Sequence, residues 1–103
     1  MGRIRTAPKP LHFRYPEGDE LRGTITKEHY EDYDDGRFIY RKFIQYVEFD
    51  DGEDCVRFTY YRKPKGGDDG SWVFGGQTSL LLQIDIFERL VKKAIEDGWI
   101  KVR

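Results

Sequence analysis

Residues Arg37 to Lys63 read RFIYRKFIQYVEFDDGEDCVRFTYYRK, in which two runs of Phe, Tyr, Ile and Val flank an Asp-Asp-Gly triplet. Such runs on either side of an Asp-Gly pair predict a β-hairpin, because Gly adopts the positive φ that a tight turn between antiparallel strands requires. We therefore expect the rest of the fold to be organised around this hairpin.

The register of the hairpin decides which side chains share a face. If Asp51 and Gly52 are the two turn residues, Asp50 pairs with Glu53 and the pairing continues outward from there. One face is then mainly apolar, and it consists of Ile39, Phe43, Val47, Phe49, Asp54, Val56, Phe58 and Tyr60. The other face alternates aromatic rings with cations, and it carries Tyr40, Lys42, Tyr46, Arg57, Tyr61 and Lys63.

Rings interleaved with cations on an open sheet are suited to single-stranded nucleic acid, since bases stack on Tyr and phosphates pair with Lys or Arg. The six residues of that second face are the predicted binding site. An equally weighted interpretation is that Tyr and Lys side chains cover one another across the strands of an ordinary solvated sheet. The sequence does not separate these two interpretations.

The composition indicates one folded domain whose net charge is too small to attract nucleic acid as a whole. The chain has 103 residues, 16% aromatic and 36% charged, with a net charge of -1. Disordered chains are poor in aromatic residues, so we expect a folded protein, and any nucleic-acid binding has to come from a local patch.

Other functional classes have little support in the sequence. Cys55 is the single cysteine and does not form a metal-ligand set with His12 and His29, which fits a reducing compartment. We expect a cytoplasmic, nucleoid or nuclear protein rather than a secreted one, because no signal peptide or membrane-spanning run is present. We find no catalytic signature, so we predict neither an enzyme nor a cofactor.

The remaining segments predict a four-stranded antiparallel meander followed by one C-terminal helix, an α+β fold. Asp-Asp-Gly recurs at 34–36, 50–52 and 68–70, and short turns of this kind join antiparallel neighbours. The other strands are predicted at Leu21 to Tyr33 and from Ser71 onward, where Gly75 and Gly76 suggest a bulge.

Residues 1–20 form a basic, Pro-containing arm before the domain at 21–103. We favour a loose terminus, although such an arm can also follow a phosphate backbone. Its Leu11, Phe13 and Tyr15 alternate, so its end can add an edge strand.

The helix is predicted from Gln83 to Asp97, where apolar residues recur at helical spacing before Gly98. We expect it to lie on the apolar face around Phe43, Val47 and Phe58. The segment from Trp99 to Val102 then returns to the sheet or enters a partner chain, and one helix on a short sheet leaves apolar surface for a homodimer.

The order of elements resembles the transcriptional positive cofactor four family and its Whirly-like relatives. The resemblance covers residues 37–97 and depends on VRFTYYRKPKGGDDGSW, with the basic aromatic strand end Tyr60-Tyr61-Arg62-Lys63, leading into a Leu-rich helix start. It implies a small dimer that binds single-stranded DNA on a curved sheet, in transcription or DNA maintenance, with helices at the dimer interface.

The competing prediction is a protein interaction module or homodimeric subunit without nucleic-acid binding. The acidic first strand, an open sheet edge and the apolar residues after the helix suit that role equally well. Salt separates the two predictions, because nucleic-acid binding weakens steeply with ionic strength and an apolar protein interface does not.

Overall fold

The computed structural model describes residues 2–14, 16–75 and 80–101, except for the side chain of Phe13. Predictions that involve Tyr15, Gly76 and Val102 lie outside these residues. The fold is α+β, with one antiparallel sheet, curled into a half-barrel, and one C-terminal helix. The elements are β1 (Lys9–Arg14), β2 (Glu20–Asp34), β3 (Phe38–Phe49), β4 (Asp54–Pro64), β5 (Val73–Phe74) and α1 (Ile84–Glu96).

The sheet has five strands in the order β1-β2-β3-β4-β5, so the meander is confirmed and the count of four strands is wrong. The additional strand is β1, which comes from the end of the arm and pairs with β2 from Lys9 opposite Ile25 to Arg14 opposite Glu20. Pro10 is tolerated because β1 lies at the edge of the sheet.

The hairpin at Arg37 to Lys63 is confirmed, but its predicted register is wrong by one residue. Val47 pairs with Cys55 and Glu48 pairs with Asp54. The loop has three residues rather than two, since the N–H of Phe49 donates to the carbonyl of Glu53 at 2.9 Å. Gly52 has φ 92°, the left-handed conformation that ends a three-residue loop of this kind.

A shift of one residue exchanges the faces of one strand relative to the other, because successive side chains point to opposite sides. We call the side that α1 covers the helix face. From the hairpin it takes Tyr40, Lys42, Ile44, Tyr46, Val56, Phe58, Tyr60 and Arg62. We call the opposite side the arm face, and it takes Ile39, Arg41, Phe43, Gln45, Val47, Cys55, Arg57, Thr59, Tyr61 and Lys63.

The helix begins and ends close to its predicted bounds, with Gln83 and Asp97 as its caps. Gly98, at φ 83°, donates its N–H to the carbonyl of Ile95, which closes the last turn. The expectation that the helix covers Phe43 and Val47 is wrong, since both belong to the arm face, although Phe58 does pack against the helix core.

The core beneath the helix combines one sheet residue with three helix residues. Ile44, Ile86, Leu90 and Ala94 are buried, and Phe58, Leu82, Trp99 and Ile100 pack around them. Trp99 and Ile100 therefore return to the sheet, one of the two predicted destinations. At the edge of this core Glu31 of β2 accepts hydrogen bonds from Arg89 and Lys93, so charge pairs also fix the helix on the sheet.

Candidate nucleic-acid interface

The N-terminal arm crosses the arm face of the sheet. Its start joins one sheet edge, where the N–H of Gly2 donates to the carbonyl of Trp72 at 3.1 Å, and its end becomes β1 at the other edge. The seven residue steps from Gly2 to Lys9, where β1 begins, reach about 23 Å when extended. The width of the sheet from β1 to β5, which is four spacings between neighbouring strands, is about 19 Å, so the segment is long enough to cross it. The described part of the arm is thus bound across the sheet, and the favoured interpretation of a loose terminus is wrong.

A polar network buried on the arm face holds the arm in place. Glu28 accepts the N–H of Ala7 at 3.1 Å and pairs with the ammonium of Lys9 at 3.2 Å. The same carboxylate accepts from Nε2 of Gln45 at 2.9 Å, and Oε1 of Gln45 accepts from Nε of Arg57 at 2.8 Å. Gln45 is fully buried, so these hydrogen bonds form away from water and join β2, β3, β4 and the arm.

A cleft of about 540 Å³ remains between the arm and the sheet. It is lined by Arg3, Arg5, Lys9, Pro10, Leu11, His12, Ile25, Arg57, Tyr61 and Phe74. No carboxylate belongs to this lining. The arm, β1, β4 and β5 all contribute to it, so residues far apart in sequence form one surface.

The cations of this cleft are not equivalent. Lys9 is 8% exposed and committed to Glu28, so it supports the arm rather than facing solvent. Arg3 and Arg5 are exposed, and within the described part of the chain no carboxylate forms an ion pair with either of them. Their guanidinium groups can therefore accept an anionic ligand without breaking an existing ion pair.

The aromatic rings of the cleft lie on β4 and β5. The ring centroids of Tyr61 and Phe74 are 5.2 Å apart with a tilt of 56°, and Phe74 is 47% exposed. The guanidinium of Arg57 lies over the Phe74 ring at 5.7 Å, and burial lowers the pKa of Arg57. Phe74 thus presents an accessible ring beside cations, which suits stacking of a base.

The six residues of the predicted site do not share a face. Arg57 and Tyr61 line the cleft, whereas Lys63 lies towards Trp72 with its ammonium 5.0 Å from the ring centroid and bonded to the carbonyl of Gly67. The hairpin register places Tyr40, Lys42 and Tyr46 on the helix face.

On the helix face the three remaining predicted residues have structural contacts. Lys42 is 5% exposed and donates to the carbonyl of Leu81, so it is not an exposed phosphate contact. Tyr46 packs edge-on against Trp99 and hydrogen-bonds to Asp54, and this hydrogen bond raises the pKa of Tyr46. Tyr40 packs against Tyr60 with 5.9 Å between ring centroids.

Sequence reasoning did not assign Arg3, Arg5 or Phe74 to the site. The two arginines alternate along the arm, and Trp72 and Phe74 alternate at the last strand, so the period of a strand was a signal in both places. The missing information was that the arm returns to the sheet. In the part of the chain that the structure describes, no group of three metal-ligating side chains is found, and no helix is long and apolar enough to cross a membrane.

The chain was also compared with known proteins. No protein-family model, no curated protein and no solved structure matches it.

Proposed function

We propose that this protein binds single-stranded nucleic acid in the cleft between the arm and the sheet. Arg3 and Arg5 contact the phosphates, and Phe74 and Tyr61 stack with bases. The observation that carries the proposal is the cleft itself, a cavity with several cations, two neighbouring rings and no carboxylate in its lining.

The chemistry of the cleft favours single strands over duplex. A ring can stack only on a base whose face is accessible, and in a duplex the bases are already stacked on each other. With a net charge of -1, the chain has no general attraction for nucleic acid, so the local cations supply the electrostatic part of binding. Transcription or DNA maintenance is the setting that the family resemblance implies.

The test is a fluorescence-anisotropy titration with a labelled oligothymidine and a duplex of equal length at several salt concentrations. The wild type binds the single strand more tightly, and its affinity falls as salt rises. The double variant Arg3→Ala/Arg5→Ala lowers the salt slope by roughly one to two units, because two phosphate contacts are lost. Phe74→Ala weakens binding by about 1–3 kcal/mol and leaves the slope unchanged.

The matched control is Lys27→Ala/Lys101→Ala, which removes the same amount of charge from exposed positions outside the cleft lining. It leaves both affinity and slope unchanged. If the control and the arginine variant behave alike, only net charge matters and the cleft is not the binding site. If the wild type does not bind single strands even at low salt, the proposal fails.

A second candidate function, self-association into a homodimer, is favoured by apolar residues on the outer side of α1 and in the segment just before it. Leu81 and Ile84 are 80% and 78% exposed, and Phe87 is 44% exposed, which is unusual for large apolar side chains. Glu88 and Lys92 are exposed beside this surface. Across a two-fold axis the same patch of each subunit meets its own copy, and these two opposite charges can pair between subunits.

Sedimentation at high micromolar concentration tests the dimer. The wild type sediments as a dimer and Ile84→Glu/Phe87→Glu as a monomer. The control Val73→Glu, on a strand for which no helix contact is found, stays dimeric. A wild type that remains monomeric at these concentrations contradicts this second candidate and leaves the first untouched.

A further inference from the structure

A second cavity, of about 370 Å³, lies on the helix face close to the turn between β2 and β3. Its lining consists of Tyr33, Asp35, Tyr40, Lys42, Tyr60, Leu80, Leu81 and Gln83. This volume falls within the range of small-molecule sites. The cavity and the basic cleft share no lining residue and lie on opposite sides of the sheet, so a ligand in this cavity is independent of the proposed function.

The buried ammonium of Lys42 is the feature that points to a ligand. Its Nζ donates to the carbonyl of Leu81 and to Oε1 of Gln83, both at 2.8 Å. Among the described residues no carboxylate pairs with it, and burial lowers its pKa. A buried charge bonded only to neutral oxygens is costly, and a ligand that brings a further acceptor reduces that cost.

Aromatic side chains form the walls of this cavity. The Tyr40 ring lies between those of Tyr33 and Tyr60, at centroid distances of 6.5 and 5.9 Å, and it is tilted relative to both. The ammonium of Lys42 lies 5.1 Å from the centroid of Tyr33 and 5.5 Å from that of Tyr40. A flat ring fits against such walls, with the ammonium at its edge.

The polar groups that line the cavity include both donors and an acceptor. Lys42 and the amide nitrogen of Gln83 are neighbouring donors, since the amide oxygen of Gln83 already accepts from Lys42. Asp35 is an acceptor, with Oδ1 held by the N–H groups of Arg37 and Phe38 at 2.9 and 2.8 Å. These hydrogen bonds lower the pKa of Asp35, so it remains a carboxylate.

A guanine base matches this arrangement. Its O6 and N7 are adjacent acceptors on one edge, and its N2 amino group is a donor on another. Adenine presents an amino donor beside N7, which would face the ammonium. We propose that the cavity binds the base of a guanine nucleotide. O6 and N7 accept from Lys42 and Gln83, the amino group points to Asp35, and the ring packs among the tyrosines.

Isothermal titration calorimetry with guanosine, adenosine and inosine monophosphates tests this site. Guanosine monophosphate binds roughly ten- to a hundredfold more tightly than adenosine monophosphate, the discrimination that one good two-point contact provides. Inosine monophosphate, which lacks the amino group, falls between them. Equal affinity for the guanine and adenine nucleotides overturns the proposal.

The base can come from a free nucleotide or from a strand, and a second pair of ligands separates these sources. An oligothymidine with one central guanine is compared with the plain oligothymidine. If only the guanine-containing strand shows the additional affinity, the site reads a base within a strand. If the free nucleotide binds, the site is a nucleotide site. If neither shows a preference for guanine, the inference fails, whereas binding of plain oligothymidine keeps the basic cleft as the site of the proposed function.

The variant Gln83→Glu distinguishes a ligand site from a structural one. It keeps the size of the side chain and places a carboxylate beside Lys42, so thermal stability stays equal or rises. Oxygen acceptors of guanine then meet a second acceptor, and affinity for guanosine monophosphate falls by roughly tenfold or more. The control Arg3→Ala/Arg5→Ala binds the nucleotide as the wild type does. A folded Gln83→Glu variant with unchanged affinity overturns the proposal.

Discussion

The helix face and the arm face of one sheet are stabilised in different ways. Beneath the helix, Ile44 meets Leu90 in an apolar core where both side chains are 0% exposed. The centre of the arm face is Gln45, equally buried, which links Glu28 to Arg57 by hydrogen bonds. One face is closed by a helix and the other by a chain segment that contributes its own N–H groups.

This difference indicates why binding of single-stranded nucleic acid is proposed on the arm face. Where α1 covers the sheet, the apolar core excludes water and leaves no room for a polar ligand, so the nucleotide cavity of the helix face lies beside this core, close to the turn between β2 and β3. A hydrogen-bonded network can hold an extended segment at a distance from the sheet and leave a cleft beside it. The arginines of the arm then face that cleft because an extended chain alternates its side chains. Substitutions on each face can break or sharpen this contrast.

Leu90→Ala has the largest expected effect, because it opens a cavity in the apolar core of the helix face. We expect a loss of about 2–5 kcal/mol in the free energy of unfolding, measured by denaturant titration. Val73→Ala, at a side chain that is 42% exposed, serves as the control and changes stability little. A loss below about 1 kcal/mol for Leu90→Ala would mean that the helix does not hold this face.

Glu28→Gln is the corresponding change on the arm face. It leaves the ammonium of Lys9 buried without a carboxylate, and we expect a loss of about 1–3 kcal/mol in the free energy of unfolding. The N–H of Ala7 donates to this carboxylate, and a neutral amide is a weaker acceptor. We therefore expect the amide hydrogen of Ala7 to exchange with solvent faster than the amide hydrogens of the helix. The control is Glu48→Gln, an exposed position on β3. If both variants are equally stable, the buried network does not fix the arm.

Glu31 makes the attachment of the helix sensitive to acid. Hydrogen bonds from Lys93 and Arg89 lower the pKa of Glu31 in the folded state below its ordinary value of 4.5. The stabilisation is therefore present above pH 4.5 and is lost as the pH falls from 4.5 through the lower folded pKa. Glu31→Gln removes this dependence, an effect under about 1 kcal/mol for a pair near the surface.

Urea unfolding at several pH values between neutral pH and pH 3 measures how much of the free energy of unfolding depends on Glu31. Relative to the wild type, Glu31→Gln should lose less stability across this range. A wild type and variant with parallel pH profiles would show that the helix is attached by its apolar side alone.

Tyr46→Leu has the smallest expected effect, which is no change in the affinity for single-stranded nucleic acid, because the ring belongs to the helix face. Its affinity for oligothymidine should equal that of the wild type in the anisotropy titration, whereas Phe74→Leu on the arm side weakens binding. Thermal unfolding provides the control for folding, since Tyr46 packs against Trp99. Weaker binding by a fully folded Tyr46→Leu variant would mean that the strand contacts the helix face.

Much of the local structure could be predicted from residue patterns. The strands β2, β3 and β4 follow from runs of β-branched and aromatic residues that the Asp-Asp-Gly triplets separate from one another. The helix and its end follow from the helical spacing and from Gly98. These features depend on residues close in sequence, which is why the pattern was sufficient.

The candidate site was predicted only in part, since Arg57 and Tyr61 line the cleft and Tyr40, Lys42 and Tyr46 lie on the opposite side. The error arose at the turn. Asp50, Asp51 and Gly52 are compatible with a two-residue or a three-residue loop, and the choice between them shifts the register by one residue.

By itself, the sequence determined the antiparallel meander, the helix and the turn positions, because backbone propensities and side-chain periodicity act over a few residues. The tertiary structure alone decided which face the helix covers and where the arm lies. Both faces of the β3–β4 hairpin carry rings and cations, so the hydrophobic pattern specifies its register weakly. In the observed register Ile44 packs against Leu90 of the helix and Gln45 accepts a hydrogen bond from Arg57 on the opposite face, so both faces are filled by contacts that exist only in the folded chain.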